Sequence, residues 1–292
     1  MFNLIYRLLP VLLPWGTAVS QPFLDLMKMD HLRSPDLIDR TELNMTLPLK
    51  LDTSGRLLLL DPHFVEWRVT TDADRYQPAA VAPVREQMGA VVLPIGYITP
   101  LGRQGWRLAT VPIIRYAWLE STNRGMVQMA GTLIFSRQVK PGLTWRYGVY
   151  ISGEAFGLFV RPLLGVDWRI SPRSNLFGVL PGTLNYEYKV NRWVHVGMSF
   201  LAYTSSYGTP NGDFRRVDEN PVGVFADLYL TKRVVLRGEV GRSFMCQFRG
   251  GSQDPVKDDP AEPQARYLDH GLPEHFYFRL LLAFRMRLDD RP

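Results

Sequence analysis

The sequence predicts an all-β fold, an antiparallel transmembrane β-barrel of about 12 strands. Three observations carry this expectation. Apolar and polar residues alternate with period two from residue 42 to residue 288, as side chains of a strand do. Beyond the N-terminus, no stretch approaches the ~18 apolar residues that a spanning helix needs. The apolar faces carry aromatics near strand ends, while the opposite faces mix Gly, Ser, Tyr and charges of both signs. Aromatic girdles around a wet, crowded interior give that pattern in a membrane barrel. A soluble β-sandwich also alternates, but its polar face meets bulk water.

The N-terminal stretch "MFNLIYRLLPVLLPWGTAVSQ" has a basic Arg7 and an apolar run from Leu8 to Trp15. Ala18 and Ser20 stand at −3 and −1 of a cut before Gln21, so residues 1–20 read as a signal peptide. Pro10 and Pro14 interrupt the run, which is too short for an anchor. Residues 21–41 are mixed. They are expected to form a periplasmic N-terminal segment, either a short amphipathic helix or irregular chain.

The barrel is expected over residues 42–288, with 289–292 as a tail. In 42–51, Leu43, Met45, Leu47, Leu49 and Leu51 share one face. Thr53-Ser54-Gly55 turns the chain, and a second strand runs through Arg68. Residues 71–90 read as a loop. Strands follow at 91–99, 106–119 and 126–139. In 143–151, Leu143, Trp145, Tyr147, Val149 and Ile151 oppose Thr144, Arg146, Gly148 and Tyr150. Further alternation marks 159–170, 184–190, 193–203 and 222–230. Tight turns are expected at 139–142, 171–174, 190–192 and 231–233, and long polar connections at 205–221 and 246–274. The count is 12 if 174–190 is one strand and 13 if "LPGT" reverses the chain. Ten or fourteen also fit, because 42–90 is hard to parse. An even number is the rule for bacterial single-chain barrels.

The last strand, "HFYFRLLLAFRMRL", explains itself by parity. Phe276, Phe278, Leu280, Leu282, Phe284, Met286 and Leu288 fall on one face, and Arg279, Arg285 and Arg287 on the other. An Arg facing lipid at mid-membrane costs roughly 2–4 kcal/mol, so the arginines are expected to face the interior.

The net charge is +6 and the pI about 9.5. The basic residues are dispersed without a basic helix or run, which argues against nucleic acid. Cys246 is the only cysteine, so neither an internal disulfide nor a Cys-based metal site can form.

The signal layout, the dyad strands, the mix of short and long connections and the C-terminal strand with alternate Phe together resemble Gram-negative outer-membrane β-barrels. More narrowly, "LLGVDWRISPRSNLFGVLPGTLNYEYKVNRWVHVGMSF" (163–200) is similar to a stretch in uncharacterised outer-membrane barrel families of the domain-of-unknown-function type. The resemblance implies an outer-membrane location, contact with lipid and lipopolysaccharide, and insertion by the barrel-assembly machinery. Such barrels usually end on an aromatic residue, and here "LDDRP" follows Leu288.

Candidate interior residues are Arg107, Arg115, Arg146, Arg161, Asp167, Arg169, Glu187, Lys189, His195, Asp227, Arg237, Glu239, Arg279, Arg285 and Arg287. They read either as an anion-favouring passage or ligand site, or as a self-neutralising network. The presence of both signs favours the network, because buried charges need partners. His195 and Ser199 share a face but stand about 13 Å apart along a strand, too far for a nucleophile and its base. No catalytic residue, metal site or cofactor is expected. Asp254, Asp258, Asp259, Glu262 and Asp269 lack the spacing of a calcium loop. "NMT" (44–46) matches a glycosylation sequon inside an expected strand. The functional expectation is a non-enzymatic outer-membrane barrel that passes or binds small polar or anionic solutes. The alternatives are a barrel enzyme acting on lipid or lipopolysaccharide, and a secreted soluble β-barrel binding protein.

Overall fold

The computed structural model describes residues 22–35, 37–52, 54–71, 84–102, 105–120, 124–208, 213–252 and 268–288. The signal-peptide stretch, the tail and the acids Asp254, Asp258, Asp259 and Glu262 lie outside these residues, as does the side chain of Asp269.

The chain forms one antiparallel sheet closed on itself. Its strands are β1 (Phe23–Ser34), β2 (Ile38–Met45, continued as Leu47–Lys50), β3 (Leu57–Leu60, continued as His63–Thr71), β4 (Val84–Leu101), β5 (Trp106–Leu119), β6 (Arg124–Lys140) and β7 (Leu143–Glu154). They continue as β8 (Gly157–Arg169), β9 (Ser174–Leu180), β10 (Thr183–Lys189), β11 (Val194–Leu201, continued as Tyr203–Gly208), β12 (Asp213–Tyr229), β13 (Val234–Ser252) and β14 (Leu268–Gly271, continued as His275–Arg287). Each strand pairs with the next, and β14 pairs with β1 from Phe23↔Arg287 to Arg33↔Phe278, which completes a ring of 14 strands. Closure leaves no sheet edge along most of the wall.

Fourteen strands replace the expected 12, for two reasons. First, the barrel begins at Phe23 rather than residue 42. Residues 21–41 hold β1 and the start of β2, not a separate N-terminal segment. A bulge between Asp25 and Met27 shifts the register by one residue, so β1 does not alternate cleanly in sequence. Second, Pro181 and Gly182 reverse the chain, making 174–189 a hairpin. β4 also starts within the expected 71–90 loop. The two long connections are shorter than expected, because β11, β12, β13 and β14 extend to leave only 209–212 and 253–267 between them.

Local chemistry sets the turns. Pro141-Gly142 joins β6 to β7, with Gly142 at φ +79°, a left-handed conformation that glycine adopts without strain. After β2, the Ser54 hydroxyl and amide both donate to Asp52 Oδ1. These bonds, the hydroxyl first, hold the Asp52 carboxyl below its usual range.

Call the end that holds Phe23 and Arg287 the near end. The outer face is apolar on nearly every strand: Met27, Met29, Leu43, Leu47, Ile114, Met129, Ile151, Leu164, Met198, Val224, Leu280 and Leu282 are all exposed. Inside, the far half holds an apolar cluster among polar groups. Trp67 and Val69 on β3, Met88 and Ala90 on β4, Leu119 on β5, Val217 on β12 and Phe248 on β13 form one buried cluster.

The second part of β11 fills the space between. Tyr203–Gly208 pairs with β12 alone, and both of its faces meet the opposite interior walls. Tyr203 packs edge-on against Trp67 at 5.8 Å and lies 3.8 Å below the Arg40 guanidinium. On the other face, Ser206 Oγ donates to Glu154 Oε2 on β7 at 2.5 Å and accepts from Gln128 Nε2 on β6 at 3.1 Å. The segment therefore leaves the wall and crosses the interior.

Candidate functional site: a charged interior

Below the apolar cluster, inward positions carry ionic groups arranged in nearly neutral sets. At mid-height, Arg279 on β14 reaches Asp30 on β1 through Nε at 2.9 Å and through a closer Nη2 contact, and lies 3.3 Å from Glu239 on β13. Arg40 lies 2.6 Å from Glu42 and 3.9 Å from Asp30, and Lys28 lies 3.1 Å from Glu42. Three cations thus face three carboxylates. Glu239 Oε1 also accepts from Ser199 Oγ and Tyr277 Oη, each at 2.7 Å. Tyr277 reaches it by lying over Gly223 and Gly241: a Cβ on Gly223 would sit 2.3 Å from the Tyr277 hydroxyl.

Toward the near end, Asp227 accepts from Arg237 at 2.6 and 2.8 Å and from Arg285 at 2.6 Å. Arg285 also donates to Asp25 at 2.6 and 3.0 Å, and its guanidinium stacks 3.5 Å from the Phe23 ring centroid. Glu187 on β10 meets His195 Nδ1 at 2.5 Å and Arg287 at 2.6 Å, and Arg287 also donates to the Tyr229 hydroxyl at 3.0 Å. Arg146 pairs closely with Asp167 between β7 and β8. Several contacts cross the interior rather than link neighbours. Arg287 on β14 reaches Glu187 on β10, Arg215 on β12 reaches Glu86 on β4 at 2.8 Å, and Phe23 on β1 meets Phe177 on β9 edge-on at 5.4 Å.

Of the candidate interior residues, Asp167, Glu187, His195, Asp227, Arg237, Glu239, Arg279 and Arg285 are buried. Arg107, Arg115, Arg146, Arg161, Lys189 and Arg287 are half-buried, and Arg169 is exposed at the near end of β8. Arg115 lies 3.7 Å from Glu154 and donates to Gln128 at 3.0 Å. Arg161 donates to Thr204 Oγ1 at 3.1 Å. Ser199 and His195 do not pair: one engages Glu239, the other Glu187. The sequence reading missed Asp25, Lys28, Asp30 and Arg40, all within the segment not assigned to the barrel, and Glu42, the first residue of the expected barrel. It also missed Glu86, Glu154, Arg215 and Asp218, which lie at strand ends or in expected loops. Among the described residues, no group of three or more His, Cys, Asp or Glu could hold a metal ion.

No family model matches the sequence, and no curated protein matches it. Solved structures match only in overall form. One comes from work on the in-meso crystallization of membrane proteins, at 9% identity and a TM-score of 0.33, covering 91% of this chain and 85% of that one. A variant of the ferric enterobactin receptor of Pseudomonas aeruginosa matches at 9% identity and TM-score 0.30, over 84% of this chain and 61% of the receptor. The outer membrane protease OmpT of Escherichia coli matches at 10% identity and TM-score 0.24, over 90% and 93%. Likenesses this distant carry no argument about role. The barrel assignment rests on the chain's own strand pairing.

Proposed function

We propose that this chain is an integral outer-membrane β-barrel with a filled interior, serving as a membrane-embedded binding or structural protein rather than an open pore. The observation that carries the reading is the exposed apolar band around the wall. Soluble monomers rarely expose contiguous apolar patches beyond a few hundred Å². Here apolar side chains face outward on strand after strand, while Arg285 and Asp227 are 1% and 0% exposed inside. Hydrocarbon around the barrel and a polar interior account for both facts.

Aromatics at the two ends of the band support this reading. Trp168, Tyr186, Tyr188 and Trp193 lie exposed at the near end, and Tyr116 and Phe276 toward the far end. An even strand number brings both ends of the barrel to one side, as in bacterial outer-membrane barrels. The cross-interior contacts support filling rather than passage. The test is to separate membrane from soluble fractions and compare unheated with boiled samples on gels. Recovery in the membrane with a heat-dependent mobility shift is expected. Recovery in the soluble fraction without a shift overturns the reading.

A further inference from the structure

Among the described residues, the wall of the barrel has a break beside β8. β9 and β10 have only 7 residues each, and their hairpin ends at Leu180, opposite Leu164 of β8. Above that point, Gly157–Leu163 of β8 pairs with β7 alone. On the other side, the second part of β11 has turned inward with β12. The unpaired edge is about 20 Å long at the usual rise of a strand. Arg169 N–H donates to Gly142 O on the β7 side and Ile170 N–H to Ser174 O on the β9 side, so the backbone N–H and C=O groups of even-numbered β8 residues point to the gap. Pro162, which has no N–H, occupies one of these edge positions.

Among the described residues, side-chain contacts and the Ala155 N–H, which donates to Ser206 Oγ at 2.9 Å, bridge the gap. Arg161 reaches across to Thr204. Phe156 meets Phe159 edge-on at 5.7 Å and lies tilted against Phe214 at 6.0 Å, with the Arg216 guanidinium 4.4 Å from the Phe156 ring. Arg216 is neutralised by Asp218 at 2.7 Å. Arg161 has no such direct pair: among the described residues no carboxylate lies within 4.0 Å of it, it stacks 4.6 Å from the Phe159 ring, and it reaches Asp218 only through Thr204, whose hydroxyl donates to that carboxylate at 2.7 Å. Outside, the strand is apolar on both sides of Arg161, with Val160 52% and Leu164 50% exposed.

A cation without a direct carboxylate partner among the described residues thus stands just inside a break in the wall, next to aromatic rings and behind an apolar face. We infer that this break is a lateral docking site for a phosphate-bearing membrane lipid. Arg161 holds the head-group phosphate, and the acyl chains lie along Pro162 and Leu164, on the mid-membrane side of it. A guanidinium suits phosphate because its N–H groups match two phosphate oxygens at once. The inference rests on the membrane reading above, since the acyl chains must reach the gap from a bilayer.

The experiment titrates the detergent-purified protein with phosphatidylglycerol or phosphatidylcholine and counts retained lipids by native mass spectrometry. Both lipids carry phosphate, but choline's cation opposes Arg161. One phosphatidylglycerol is expected to bind at least about tenfold tighter than phosphatidylcholine, the scale of one charge-assisted hydrogen bond. Arg161→Gln should abolish the preference, Arg161→Lys should keep most of it, and Arg33→Gln on the outer rim should leave it unchanged. Thr204→Asp places a carboxylate beside Arg161 and should also abolish it, which covers the case in which Arg161→Gln fails to fold. Equal binding of both lipids, or a preference that survives Arg161→Gln or Thr204→Asp, overturns the docking site. Heat-dependent mobility on the same samples reports on the membrane reading separately.

Discussion

Asp227→Asn probes the interior most sharply. Asp227 is fully buried and accepts three hydrogen bonds, two from Arg237 and one from Arg285. The amide keeps one acceptor oxygen and turns an N–H₂ donor toward a guanidinium. It also leaves two buried cations with Asp25 as the nearest remaining partner of one of them. Breaking a buried ion pair from one side typically costs about 3–5 kcal/mol. At 1.36 kcal/mol per tenfold, the folded-to-unfolded ratio from a urea titration should fall by about two to four orders of magnitude. The internal standard is Arg33→Gln, which removes an outer pair to Asp39 at 3.9 Å whose side chains are 69% and 37% exposed. Exposed pairs contribute under about 1 kcal/mol. Urea unfolding of both variants in the same detergent, scored by the unheated gel band, gives the comparison. If Asp227→Asn costs no more than Arg33→Gln, the buried network is not what stabilises the interior.

Other substitutions test other links. Gly241→Ala would place a Cβ 2.2 Å from the Val222 carbonyl and 2.8 Å from the Tyr277 ring. It should cost about 1–3 kcal/mol by overpacking in the same unfolding assay, and an unchanged midpoint would remove the role given to the glycine. Leu280→Arg puts a cation on the outer face midway along β14, where Leu280 is 57% exposed. In vesicles it should cost roughly 2–4 kcal/mol, and a smaller loss than an Arg at the exposed near-end position Leu230 would contradict a hydrocarbon surround there. In planar bilayers the wild-type protein should show no sustained open-channel steps, because the interior contacts span from wall to wall. A steady ohmic conductance would contradict the filled interior.

The sequence shows what alternation can show, and little of what closure decides. In β14, Phe276 and Phe278 fall outside and Arg279 and Arg285 inside, as parity requires. In β1, a single bulge after Asp25 hides the same signal, and with it Lys28 and Asp30. The inward part of β11 reads "YTSSYG" because both of its faces lie inside the protein, so neither is uniformly apolar. Pairing is the harder loss. Arg279 meets Asp30 only because the last strand closes on the first, 249 residues away. Parity can place both side chains inside without stating that they touch. Arg161 is similar: its place beside an unpaired stretch of β8 depends on the short β9–β10 hairpin, which the sequence leaves open as one long strand or two.

The most direct measurement places single cysteines along β14 in a Cys246→Ser background, reconstitutes each protein in vesicles and attaches a small fluorophore. Labels at Phe278→Cys, Leu280→Cys and Leu282→Cys should be quenched by spin-labelled acyl chains and shielded from aqueous iodide. Labels at Tyr277→Cys and Leu281→Cys should escape the lipid quencher. Quenching that ignores parity, or iodide reaching the even positions, would show that the outer face does not meet hydrocarbon.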